Sequence, residues 1–184
     1  MTKEQRYRAY LRSYLITPEN EPGFFALVRD IWEHPKFQSM SQYIQHADIT
    51  RVQHIVSVAY LSWLEATERR RLNVTATARG AMLHDLFYYD WHTAGDGTHR
   101  LHGYRHPGFA LKNARALFTL SDKEAGIIKR HMWPLTPTPP NSREGLIVSL
   151  SDKYCATQEI LIYKSPSYNR RFRRDLEEMR RSMK

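Results

Sequence analysis

Four residues interrupt apolar runs in which a helix should present only hydrocarbon. His84 and Asp85 sit inside Ala-Met-Leu-His-Asp-Leu-Phe, Asp152 inside Leu-Ile-Val-Ser-Leu-Ser-Asp-Lys-Tyr-Cys, and His54 inside Val-Gln-His-Ile-Val-Ser-Val-Ala. Burying a carboxylate is costly unless it is paired, hydrogen-bonded or bound to a metal. Singly, each has a plain structural reading: His54 as a hydrogen-bonded core imidazole, Asp152 as the partner of a nearby Arg or Lys. Together, two imidazoles and two carboxylates on buried helices make a mixed nitrogen and oxygen donor set. Such a set suits one or two divalent ions, Mn, Fe, Ni, Co or Mg, better than a thiolate-bound structural zinc.

The elements that must position them read as helices. Apolar spacing is helical nearly throughout, with no sustained alternation bounded by hairpin turns, so the fold class is all-α, a single-domain helical bundle. An opening helix is expected over about Lys3 to Leu15 and a second from Pro22 through Ile31, so that residues 1–40 pack on the core. Asp48 could cap a central helix over Ile49 to Arg69, and Asn73 opens the next, running through Leu86. A polar loop, His92 to Arg105, precedes a helix with Pro107 at its first position. Ser121 with Glu124 forms a capping box for the following helix, and Asn141 with Glu144 starts the last long one. The core spans residues 41–163, and residues 164–184 form a basic, helical tail.

The order His54, His84-Asp85, Asp152 resembles the H…HD…D signature of the HD-domain superfamily of metal-dependent phosphohydrolases, over roughly Tyr43 to Ile162. The resemblance implies an HD-type bundle with these four residues as metal ligands. His106, just before Pro107, and His131, in Ile-Ile-Lys-Arg-His-Met-Trp, extend the likeness to members holding two metals, where Asp85 would bridge both ions. Without that likeness, His106 reads as a cap-like residue and His131 as a charge suited to a helix C-terminus. His102 is a competing ligand, whereas His92 and His99 read as loop residues. Phe87 and Tyr88 depart from the HDIG form of some members.

The implied chemistry is hydrolysis of a phosphomonoester or phosphodiester, a nucleotide or related small molecule, through a water whose pKa a metal lowers toward about 7. Asp85 would ligate and orient that water, with His102 as the candidate acid for the leaving oxygen. Lys153, Arg105 and Lys129 are candidate phosphate contacts, as is Arg130, and Tyr88, Trp91, Tyr104 and Trp133 could stack on a base. Two other readings compete: a di-iron oxygenase of the same fold, and a basic nucleotide or nucleic-acid binding protein using the tail.

Composition narrows the field. At 184 residues and 41% hydrophobic, the chain is long enough to bury about 70% of its unfolded surface. The lone Cys155 excludes an internal disulfide, and no signal or membrane span is expected, which points to the cytoplasm. Net charge is +9, of which +5 falls from Lys164 onward, where eight Lys or Arg face Asp175, Glu177 and Glu178. An anionic partner follows, first a phosphorylated small molecule and second a nucleic acid.

Overall fold

A computed structural model describes residues 1–46, 48–93 and 101–183. Its elements run α1 (Lys3–Arg12), α2 (Pro22–Trp32), α3 (Pro35–Gln38), a 3-10 turn (Ser39–Gln42), β1 (Ile44–His46), β2 (Ile49–Thr50), α4 (Arg51–Thr67), α5 (Val74–Leu83), α6 (His102–Leu117), α7 (Asp122–Arg130), α8 (Arg143–Lys164) and α9 (Pro166–Ser182). The expected all-α, single-domain class holds, and among the described residues the only sheet is the two-stranded antiparallel β1–β2 hairpin, pairing Ile44 with Thr50 and His46 with Ile49. None of the described helices is long and apolar enough to cross a membrane. His99 and most of the loop expected before α6 lie outside the described residues.

Helix α4 is the axis, buried on nearly every side through Val52, Ile55, Val56, Val58, Ala59 and Leu61. It packs against α5 and α8, while α7 packs against both of those. On α8 the inward face is Val148, Asp152, Cys155, Glu159 and Ile162, a spacing of three and four that keeps all five on one side of a 3.6-residue helix. Two carboxylates therefore lie two turns apart on the face that meets α4.

Helix boundaries depart from expectation where local polar chemistry was underdetermined. Asp48 is drawn into the β1–β2 turn, and the Thr50 hydroxyl instead accepts the Gln53 N–H to cap α4. Helix α5 stops at Leu83, so His84 is its C-cap and Asp85 lies in the turn beyond it. Helix α6 begins at His102, which puts Pro107 inside its second turn; the proline forgoes one helical bond and buries its ring. Ser142, in place of Asn141, caps α8, because Glu144 is engaged elsewhere, accepting from Asn73 N–H at 2.9 Å and Lys123 Nζ at 2.6 Å. The Ser121–Glu124 box forms as read.

Helices α5 and α7 approach unusually closely. A Cβ on Gly80 would lie 2.9 Å from Ile127 Cδ1 and 3.0 Å from its Cβ. One turn further on, Gly80 leads to His84 and Ile127 leads to His131, whose ring centroids are 4.9 Å apart. The glycine thus sets the spacing of two site histidines.

The basic tail is not a free appendage. Helix α9 packs on α1 and α8, burying Phe172 against Tyr10 and Tyr14, with Leu176 and Met179 beside it. Its Arg171, Arg174, Arg180 and Arg181 pair with Asp175, Glu177 and Glu178 of the same helix.

Two outcomes are expected in denaturant unfolding. Gly80→Ala destabilises the protein although alanine is the better helix former by about 1 kcal/mol, because overpacking against Ile127 costs about 1–3 kcal/mol; combining it with Ile127→Ala gives a loss smaller than the sum of the two. Phe172→Ala costs about 3–5 kcal/mol, whereas a solvated, undocked tail would lose almost nothing.

Candidate metal centre

The six residues singled out as ligands converge. His54 comes from α4, His84 and Asp85 from the end of α5, His106 from the second turn of α6, His131 from the C-cap of α7 and Asp152 from the middle of α8. All six are buried, with Asp152 the most accessible at 8%.

Each imidazole is tied down by its outer nitrogen. His84 Nδ1 donates to Ala81 O at 2.7 Å, His106 Nδ1 to His102 O at 3.0 Å and His131 Nδ1 to Ile128 O at 2.8 Å. His54 Nδ1 donates to both oxygens of Glu159, at 2.9 and 3.0 Å. A carbonyl or carboxylate can only accept, so every Nδ1 carries its proton and every Nε2 offers a lone pair inward. This outward anchoring is the arrangement by which metal-binding histidines are held.

Inside, the Nε2 atoms meet one another and the carboxylates. His54 Nε2 lies 3.2 Å from Asp152 Oδ1 and 4.0 Å from Asp85 Oδ2; His84 Nε2 lies 3.8 and 3.6 Å from the same two atoms. On the other side, Asp85 Oδ1 is 3.1 Å from His106 Nε2 and 3.5 Å from His131 Nε2. Asp85 thus turns one oxygen toward each pair of histidines. His54 Nε2, His84 Nε2 and Asp85 Oδ1 are buried without a hydrogen-bond partner, and the His106 and His131 Nε2 atoms face each other at 2.9 Å. Were both rings neutral and protonated at Nδ1, no hydrogen would lie in that gap; burial opposes charge on His106, but Asp85 raises its pKa, so a proton is the alternative to a cation there. A cation satisfies all of these acceptors at once, so the donor set fits a divalent metal. Groupings of His54, His84 and Asp152, and of His84, Asp85 and His131, each bring their donor atoms within 4.8 Å of one another. Helices α5 and α7 also end at the site, directing the negative ends of their dipoles toward it.

Without a cation, protons take part of that role. Burial opposes charge on His54, yet Glu159 and Asp152 overcome it and hold its pKa well above the ordinary value. His84 goes the other way, pushed down to about 4 chiefly by burial. Burial likewise opposes ionisation of Asp85 and Asp152, but the surrounding imidazoles hold both below the usual carboxylate range.

A cleft of about 300 Å³ opens onto these ligands, walled by Gln45, His46, Trp91, His102, Met132 and Lys153 among others. His102, expected as an acid, reaches it: its ring stacks on Trp91 (centroids 5.1 Å, planes 7° apart), and its Nδ1 is 3.0 Å from the Tyr89 hydroxyl. Lys153 lines the cleft, but its ammonium is spent on His131 O at 2.9 Å and on the Ser149 carbonyl and hydroxyl, both at 3.2 Å. Arg105 and Lys129 are exposed and do not line the cleft; each is one or two residues from a ligand, which on a helix rotates the side chain by about 100° or 200° away. Arg130 donates to Pro139 O at 3.2 Å. Of the proposed stacking aromatics, Trp91 lines the cleft, Tyr104 is exposed and Trp133 borders a separate groove with Pro139 and Leu146.

Four participants were missed. Glu159 stands seven residues after Asp152 on the same helical face, a spacing that was readable. Gln45 and His46 come from β1, in a segment with no helical period, and Arg51 is the first residue of α4, where a charge carries no sign of burial. His46, His54 and Glu159 also bring donor atoms within 4.8 Å of one another.

Glu159→Gln in the metal-free protein should lower the His54 pKa, read directly from histidine NMR titration. Because the folded pKa is raised, the stability it contributes is complete below the unfolded value of about 6.5 and disappears as pH rises through the folded value. The variant should therefore lose more stability, relative to the parent, at pH 6 than at alkaline pH. Comparison of the chain with protein-family models, with curated proteins and with solved structures returned no match in any of the three.

Proposed function

We propose that the protein is an HD-type metal-dependent phosphohydrolase acting on a small phosphoester, a nucleotide being one such substrate. The observation that carries this reading is the split of Asp85, with Oδ2 toward His54 and His84 and Oδ1 toward His106 and His131, inside a buried set of unpartnered acceptors. In this reading His54, His84, Asp85 and Asp152 hold one ion, and Asp85 with His106 and His131 holds a second. When bound, such ions supply an acidified water and offset the charge of phosphoryl oxygens.

The chain's own residues do the rest. Asp85 and Asp152 sit at the floor of the cleft, where they can orient an attacking water. The His102 ring lines the cleft with its Nδ1 3.0 Å from the Tyr89 hydroxyl and is the candidate acid for the leaving oxygen. Trp91 and Met132 give the cleft apolar walls that exclude water around the ester, and its volume of about 300 Å³ favours a compact substrate. Since the Lys153 donors are committed, phosphate recognition falls mainly to the ions. Four of the six α9 arginines pair with acids of their own helix, and the phosphoester reading rests on the buried donor set, not on the tail.

Protein purified without added metal should contain Mn, Fe, Co or Ni by elemental analysis, and should hydrolyse some member of a panel of phosphomonoesters and phosphodiesters. Asp85→Ala should lower that hydrolysis by at least about 100-fold. Activity retained in Asp85→Ala would refute the assignment, and iron-dependent oxygen consumption in place of hydrolysis would move the same centre to oxygenase chemistry.

A further inference from the structure

Gln45 is no ligand in the assignment above, yet it touches the residue on which both halves of the centre depend. Its Nε2 donates to Asp85 Oδ2 at 2.7 Å, and its Oε1 accepts from Arg51 Nε at 2.9 Å. The amide orientation is forced, because a guanidinium only donates and a carboxylate only accepts. Arg51 is itself fully buried and fixed: its other nitrogens donate to Phe87 O at 2.9 Å and Tyr89 O at 3.1 Å, and its guanidinium lies 3.7 Å from the Phe87 ring centroid. One guanidinium therefore locks the β1 hairpin to the segment that follows Asp85. Turning the amide would break two buried hydrogen bonds, each expensive to leave unmade.

We propose that Gln45 is a positioning residue: it fixes the plane of the Asp85 carboxylate so that Oδ1 remains aimed between His106 and His131, and thereby governs cation uptake by that pair. A carboxylate rotates about a single bond, and pinning Oδ2 determines where Oδ1 points. The proposal rests on the reading of the site as a metal centre.

The test uses metal-free full-length protein titrated with Mn²⁺, followed by calorimetry and by the electron paramagnetic resonance of free Mn²⁺. Gln45→Met keeps the length and removes both polar atoms; Gln45→Asn keeps the amide but falls short of Asp85 and serves if the first variant does not fold. Both should weaken Mn²⁺ binding by about 10- to 100-fold, with a lowered melting temperature of the metal-free protein as well, because the buried Arg51 Nε loses its partner. An unchanged binding isotherm, or a lowered melting temperature with unchanged affinity, overturns the positioning role. If the parent protein binds no Mn²⁺ or other divalent ion, the metal reading itself fails. The crystal structure of metal-free Gln45→Asn then decides the positioning role: a turned Asp85 carboxylate supports it and an unmoved one overturns it.

Discussion

Four imidazoles and two carboxylates are packed so that their acceptor atoms face one another in a buried space at the end of a cleft. Everything else in the fold follows from making that tolerable. Each histidine spends its Nδ1 proton on an outer carbonyl or on Glu159, which leaves only lone pairs and negative charge inside. Such an interior is expensive when empty of positive charge, so these groups could hold a cation and, without one, take up protons.

The scaffold divides the work between helix packing and a polar clamp. The α4–α8 pair brings His54 against Asp152 and Glu159. The close α5–α7 contact at Gly80 and Ile127 brings His84 and His131 together one turn later. Neither pair of helices controls the direction of Asp85, which lies beyond the end of α5. That task falls to the hairpin and to Arg51, a cation so enclosed that burial pushes its pKa down to about 10 while leaving it charged at neutral pH. A buried charge is retained here because all three of its donor nitrogens are used, on Gln45, Phe87 and Tyr89.

The charge of +9 takes on a different meaning in three dimensions. In sequence it looked like a tail waiting for an anion. In the folded chain the three acids of α9 pair with four of its arginines, the net positive excess remains, and the helix contributes an apolar face through Phe172, Leu176 and Met179. Exposed pairs of this kind add little stability individually, so α9 is held by its buried face.

The helical class and the residues His54, His84, Asp85, His106, His131 and Asp152 were legible from sequence alone, because a polar group in an apolar helical run declares a burial that something must compensate. Periodicity also placed α4, α5, α7 and α8 to within a few residues. Tertiary structure alone decided which groups orient those six. Gln45 and Arg51 act through partners 40 and 36 residues away, and no local period encodes such contacts. It likewise decided that Lys153 braces the end of α7, that Arg105 and Lys129 turn away from the cleft, and that α6 begins early enough for His102 to line it. A sequence fixes which residues cannot be left in a core unpaired; only packing determines the direction in which each one points.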